Sequence, residues 1–294
     1  MTAGRPPVGP HRAYRLPALT FGGIWLLAVA FLAIRDEWHW VGAAVGAGAL
    51  LGAFVALTFW LTRGGAPSGD EGAGRPREAS RRRLAAQLIV VLGMAGLAMF
   101  RFADIPVWSS FIRAAYRWGQ GLPVPNASYL LNPVLYVLVP GALVLALGAR
   151  WRGIGFGKGW RSWRVTAVWG APVVAAWVWY VVSGQAGPGQ ILRAAVSNLF
   201  QNGFGEEFLW RGLVQTRIAR LWTPEWGLVL ASLAFGWWHL DSIPDWSGGD
   251  LWIAAALNVV IQAPMGLAMG VIFHRTRNLL APTLVHVLAN TVEV

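Results

Sequence analysis

Residues 39–61 read HWVGAAVGAGALLGAFVALTFWL, and the run holds no Asp, Glu, Lys or Arg. At 1.5 Å per residue a helix of this length extends about 35 Å, enough to cross a hydrocarbon core roughly 30 Å thick. Lipid supplies no hydrogen-bond partner, so the backbone of such a run must be satisfied internally, as a helix does. Comparable apolar stretches lie at 17–34, 84–103, 129–149, 165–183, 191–215, 225–240, 251–273 and 279–292. Strands of alternating polarity, the mark of a closed barrel, are missing from the pattern. The fold class is therefore all-α, a polytopic transmembrane helical bundle of about eight or nine spans. Composition agrees. Hydrophobic residues make up 56% of the chain, charged residues 13%, and the mean hydropathy is +0.49. A soluble domain carries roughly 25% charge. Nineteen tryptophans, among them Trp38, Trp60, Trp151, Trp160, Trp222 and Trp252, fall near expected helix ends, where an aromatic belt forms.

The net charge of +11 does not point to nucleic acid, because the basic residues collect in alternate loops. They lie in the N-terminus (Arg5, Arg12, Arg15), in 63–83, 150–164, 211–220 and 275–277. The intervening loops are short, neutral or acidic, as at Asp241, Asp245 and Asp250, with Arg113 and Arg117 mildly discordant. By the positive-inside rule this alternation places the N-terminus in the cytoplasm of a multi-pass integral membrane protein, in the cell membrane if the source is prokaryotic. Arg35-Asp36-Glu37 stands where a signal peptide would have its small-residue cleavage site, so the first apolar run reads as an uncleaved span. The Gly-, Pro- and Arg-rich stretch 62–83 reads as a flexible cytoplasmic linker. Segment 105–120 reads as an amphipathic interfacial helix. Gly153, Gly155, Gly157 and Lys158 lack phosphate-loop spacing and read as a flexible connector. Gly42, Gly46, Gly48 and Gly52 form small-xxx-small pairs, expected to be a close helix-packing face. With no cysteine, disulfides and thiolate metal sites are excluded.

Ionisable residues inside a span are expensive and mark function. Most spans hold none, but the last four hold Glu206, Glu207, Arg211, His239, His286 and Asn290. Glu207 and Arg211 are four apart and can pair on one helix face, whereas Glu206 is turned about 100° away. His286 and Asn290 are likewise four apart. Each pair alone could be a packing contact between helices. Depth argues for more. Measured from the expected cytoplasmic helix ends, Glu206 lies about 15 Å in, His239 about 21 Å, His286 about 12 Å and Asn290 about 18 Å. All four reach a similar level and could meet.

Taken in order and in adjacent spans, Glu206-Glu207-x-x-x-Arg211, Phe235-x-x-x-His239 and His286-x-x-x-Asn290 resemble the three motifs of the CPBP family of intramembrane proteases. That family comprises the CAAX prenyl endopeptidases, often labelled Abi proteins, and bacteriocin-processing enzymes. The run Arg275-Thr276-Arg277-Asn278-Leu279-Leu280-Ala281-Pro282-Thr283-Leu284 resembles the approach to the third motif. The resemblance covers roughly 190–294, and residues 1–160 match only as apolar spans. It implies N-terminal transmembrane helices over 1–160 and a catalytic core over 161–294 that hydrolyses a peptide bond of a membrane-associated or lipidated protein or peptide. Glu206 and His239 would activate a water as a general-base pair. His286 and Asn290 would stabilise the oxyanion. Glu207 and Arg211 would shape the site, and Phe235 would pack behind His239. The same residues leave a metal question open. Glu206, His239 and His286 could hold zinc with an open water position, yet no His-Glu-x-x-His is present, and the reading favours no obligatory metal. Two rivals are an idle immunity or scaffold protein and a transporter. The intact motif set opposes the first, and the second would show internal repeats or broken helices in corresponding halves.

Overall fold

The structure, a computed structural model, describes residues 10–64, 78–100, 105–122, 130–240 and 247–291. Within these the chain forms ten helices. They are α1 (Pro10–Ile34), α2 (Trp38–Leu61), α3 (Glu78–Met99), α4 (Pro106–Gln120) and α5 (Leu131–Ala146). After a short 3-10 turn come α6 (Ser162–Val182), α7 (residues 188–221), α8 (Pro224–Trp238), α9 (Leu251–Thr276) and α10 (Leu280–Asn290). No strand occurs among the described residues. The chain is an all-α membrane bundle, and five helices (α1, α2, α3, α6 and α9) are long and apolar enough for a full crossing. Most of the expected linker (65–77), Asp241 and Asp245 lie outside the described residues. The expected interfacial segment is α4, which exposes Val107, Phe111 and Trp118 and buries Ile112.

Helix starts follow local chemistry. Pro224 occupies the first turn of α8, where no N–H is needed, and Thr223 Oγ1 accepts from the Trp226 N–H. Asp250 caps α9 by accepting from the N–H groups of Trp252 and Ile253. The outer helices present their apolar side chains outward, as Leu27, Ile89 and Val182 do, which suits lipid contact. By contrast 72% of the best apolar window of α9 is buried, against 11% for α1. Thus α9 is the central pillar. The largest core cluster joins Val91 (α3), Ile112 (α4), Tyr136 (α5), Phe208 and Leu213 (α7), and Phe235 (α8).

The glycines depart from expectation in two places. A Cβ added to Gly42, Gly46 or Gly52 would meet nothing within 4 Å, and only Gly48 is in contact, with the Trp25 ring. The close packing face is instead Gly266-x-x-x-Gly270 on α9. A Cβ there would come within 3.0 Å of Phe235 and 2.6 Å of Leu228, both on α8. The 153–160 loop, expected to be flexible, is docked. Leu279 N–H donates to the Gly155 carbonyl and Trp160 N–H to that of Thr276. The Asn278 amide donates to the Gly157 carbonyl, and Phe156 and Asn278 form an antiparallel bridge. Gly155 has φ +102, and a Cβ on Gly157 would stand 2.5 Å from the Arg277 carbonyl oxygen. The glycines serve close approach rather than mobility.

Candidate active site

Four polar side chains from three helices meet between α7, α8 and α10. Glu206 and Glu207 lie in a short α-helical stretch of α7, Phe204–Glu207, between π-helical turns Leu199–Gly203 and Phe208–Gln215. Such wide turns recur at functional sites because they re-aim side chains. Both carboxylates are buried, Glu207 completely, and they face different partners, as their angular offset requires.

Glu207 Oε1 accepts from His286 Nδ1 at 2.8 Å. Arg211 Nε stands 3.2 Å from Glu207 Oε2. That contact is an ion pair by distance without hydrogen-bond alignment, so Oε2 has no hydrogen-bond donor. One terminal nitrogen of Arg211 also donates to the Gly266 carbonyl of α9 at 3.1 Å. Four residues on, Gln215 donates to the Gly270 carbonyl at 3.2 Å. Arg211 and Gln215 therefore zip α7 onto the glycine face of α9. Gln215 was missed in the sequence, although its i+4 spacing from Arg211 was there to be read.

Glu206 turns the other way. Its Oε2 lies 3.8 Å from His239 Nε2 and 4.0 Å from His286 Nε2. His239 Nδ1 sits 2.8 Å from the Phe235 carbonyl oxygen. A carbonyl only accepts, so Nδ1 carries the proton, and in the neutral ring Nε2 offers a lone pair towards Glu206. The Phe235 ring lies between His239, at 4.5 Å, and the Arg211 guanidinium, at 4.6 Å. Asn290 is not gathered into this cluster. Its side chain is exposed at the end of α10, one turn beyond His286, and its carbonyl approaches the Asn198 amide at 3.5 Å.

The donor types of Glu206, His239 and His286 would suit zinc. However, ligands about 2.0–2.1 Å from a tetrahedral ion stand about 3.3 Å apart, closer than the 3.8 and 4.0 Å found. Among the described residues no group of three or more His, Cys, Asp or Glu is arranged to hold a metal ion. As placed, the three groups stand wider than a tetrahedral ion would hold them.

An open apolar groove of about 540 Å³, lined by Ile24, Leu92, Met99, Trp210, Trp237 and Trp238 among others, reaches the neighbour of His239 but none of the cluster residues. Trp238 packs edge-on against His239 at 5.2 Å and donates to the Ala95 carbonyl at 2.8 Å.

Residues 188–292 match the family model described as type II CAAX prenyl endopeptidase Rce1-like. This segment is Rce1-like. The match contains the whole Glu206–His239–His286 cluster and bears out the resemblance read from the three motifs, which is that of an intramembrane CAAX-type protease. No curated protein and no solved structure matches the chain.

Proposed function

We propose that this Rce1-like protein is an intramembrane endopeptidase that attacks a peptide bond with a water held between Glu206 and His239. The observation that carries the reading is the 3.8 Å separation of Glu206 Oε2 and His239 Nε2. It is too long for a direct hydrogen bond, and an opening of about half an ångström would let one water bridge the two groups. Ionised Glu206 and neutral His239 are both acceptors at these atoms. A water between them donates both protons and leaves a lone pair free to attack. Glu206 then takes a proton as general base, a contribution of typically 10²–10⁴ in rate.

His286 serves the other side of the reaction. Its Nδ1 donates to Glu207, so Nε2 can donate to a developing oxyanion only if the ring carries both protons. Two carboxylates, one guanidinium and one imidazolium then sum to zero, the least costly balance for charges inside a membrane. Asn290, on the same face of α10, supplies a second donor once substrate covers it. Glu207, backed by Arg211, fixes the ring of His286. The apolar groove at Trp238 would take the hydrocarbon of a lipidated substrate, in keeping with a prenyl endopeptidase family.

The test uses purified protein in proteoliposomes with a prenylated CAAX peptide, products being identified by mass spectrometry. The expected result is one internal cleavage that survives prolonged chelation. Asn290→Ala should lower kcat by about 10²–10³ with little change in KM, the signature of an interaction made in the transition state. Loss of activity on chelation with recovery on added zinc would overturn the metal-free mechanism. A normal kcat for Asn290→Ala would remove that residue from the oxyanion site.

A further inference from the structure

A second charged cluster lies at the arginine-rich end of the bundle, away from the Glu206 site. Arg217 on α7 is 1% exposed. Its Nε donates to Gln87 Oε1 at 3.2 Å, and one terminal nitrogen donates to the Gly212 and Gly153 carbonyls at 2.9 and 3.2 Å and to Thr216 Oγ1 at 2.8 Å. Every one of these partners is neutral. Gln87 in turn donates to the Leu147 carbonyl at 3.0 Å. Leu147, Gln87, Arg217 and Gly153 thus form a hydrogen-bonded floor that ties α3, α7 and the 147–153 loop together.

More cations gather above this floor. A terminal nitrogen of Arg220 stands 3.0 Å from where a Cβ of Gly153 would be, and one of Arg83 stands 3.0 Å from that position at Gly148. The loop between these glycines exposes Arg150 and Arg152. Among the described residues the arginines that form carboxylate ion pairs in this structure include Arg35 and Arg211, but neither Arg217 nor Arg220, Arg83, Arg150 or Arg152 pairs with a described carboxylate. Orienting a membrane protein needs arginines in a loop, not one buried with neutral partners, where an uncompensated charge is costly. An anion would offset that cost. Trp151 and Trp222, 63% and 58% exposed beside Arg152 and Arg220, are the residue type that settles at lipid headgroup level.

We propose that Arg83, Arg152, Arg217 and Arg220 form a binding site for the phosphate of an anionic phospholipid. Exposed Arg152 and Arg220 make the contacts, since the planar guanidinium matches phosphate oxygens in pairs. Buried Arg217 supplies fixed positive charge from below. The site stands independently of the protease reading. Because the same loop continues into the 153–160 segment docked on Asn278 and Leu279, a bound headgroup would brace the turn that leads into α10.

The test is binding of phosphatidylglycerol to the detergent-purified full chain, followed by native mass spectrometry and thermal unfolding, with phosphatidylcholine and inorganic phosphate as separate arms. Phosphatidylglycerol should bind and raise the unfolding temperature, and the other two should not. Arg152→Gln combined with Arg220→Gln, both at exposed positions, should weaken phosphatidylglycerol binding roughly 25-fold, from about fivefold per basic side chain near the headgroup. A charge-matched control, Arg15→Gln with Arg63→Gln, lies outside the cluster and should leave binding within about twofold, because surface substitutions away from a site change free energies little. Equal binding by the two double variants would overturn the site. Full stabilisation by inorganic phosphate, with no further gain from phosphatidylglycerol, would overturn the lipid as its ligand.

Discussion

Glu206 and Glu207 are neighbours in sequence and opposites in surroundings. Glu206 faces two imidazole Nε2 atoms without a close hydrogen bond, while Glu207 is enclosed by His286 and Arg211. Their substitutions should therefore differ. Glu207→Gln leaves Arg211 buried at 2% exposure without its paired carboxylate, a change that typically costs about 3–5 kcal/mol. The variant should unfold at markedly lower temperature or denaturant, and its activity should fall as His286 loses a charged anchor. An unfolding midpoint equal to wild type would show that the Glu207–Arg211 pair bears no structural weight. At this scale much was legible. Helical spacing correctly separated the two carboxylates and paired Glu207 with Arg211. The Phe235 carbonyl that fixes the His239 tautomer was not legible, because any residue at that position offers the same backbone oxygen.

The elements show where spacing misled. Small residues on α2 and on α9 look alike in sequence, yet Gly266 and Gly270 both lie close against α8 while on α2 only Gly48 touches another helix, since α9 is central and α2 largely faces outward. Likewise a Gly- and Arg-rich connector gave no sign that its glycines make room for Leu279 and the Arg277 carbonyl. Long-range docking has no local signature. The start of α9 offers an electrostatic test. The Asp250 carboxyl is held below the usual carboxylate range chiefly by the Ile253 N–H, then by the Trp252 N–H and Arg35; its link to Arg35 is 2.6 Å long. A carboxylate depressed in the folded state contributes stability that is fully present above its unfolded pKa, about 3.9. That contribution is lost as pH falls through the lower, folded value. Acidification below about pH 4 should therefore lower the unfolding temperature of wild type more than that of Asp250→Asn. Parallel losses in the two proteins would show that the cap is not coupled to protonation.

For the whole molecule, the apolar runs foretold the helical bundle well: each expected span coincides with a helix to within several residues. Length made this possible, since a run long enough to cross lipid leaves the backbone one way to satisfy itself. The family match begins only at residue 188, so the helices before it were legible as apolar spans or, for α4, as an interfacial helix, and their roles were not. Orientation rests on the alternation of arginines, and the absence of cysteine makes it straightforward to test. Single cysteines at Lys158 and Ser183, both exposed, lie at opposite ends of α6. An impermeant thiol reagent applied to intact cells should label position 183 and spare position 158. The reverse pattern would invert the topology and place the arginine cluster on the outer face.

The central claim is that Glu206 activates the attacking water, and the turnover number of Glu206→Gln measures it most directly. The substitution keeps the side chain's shape and removes its basicity. With a prenylated CAAX peptide in proteoliposomes, the variant should unfold like wild type while kcat falls by about 10²–10⁴, the usual worth of a general base. A correctly folded Glu206→Gln protein that retained most of the wild-type turnover would contradict the account.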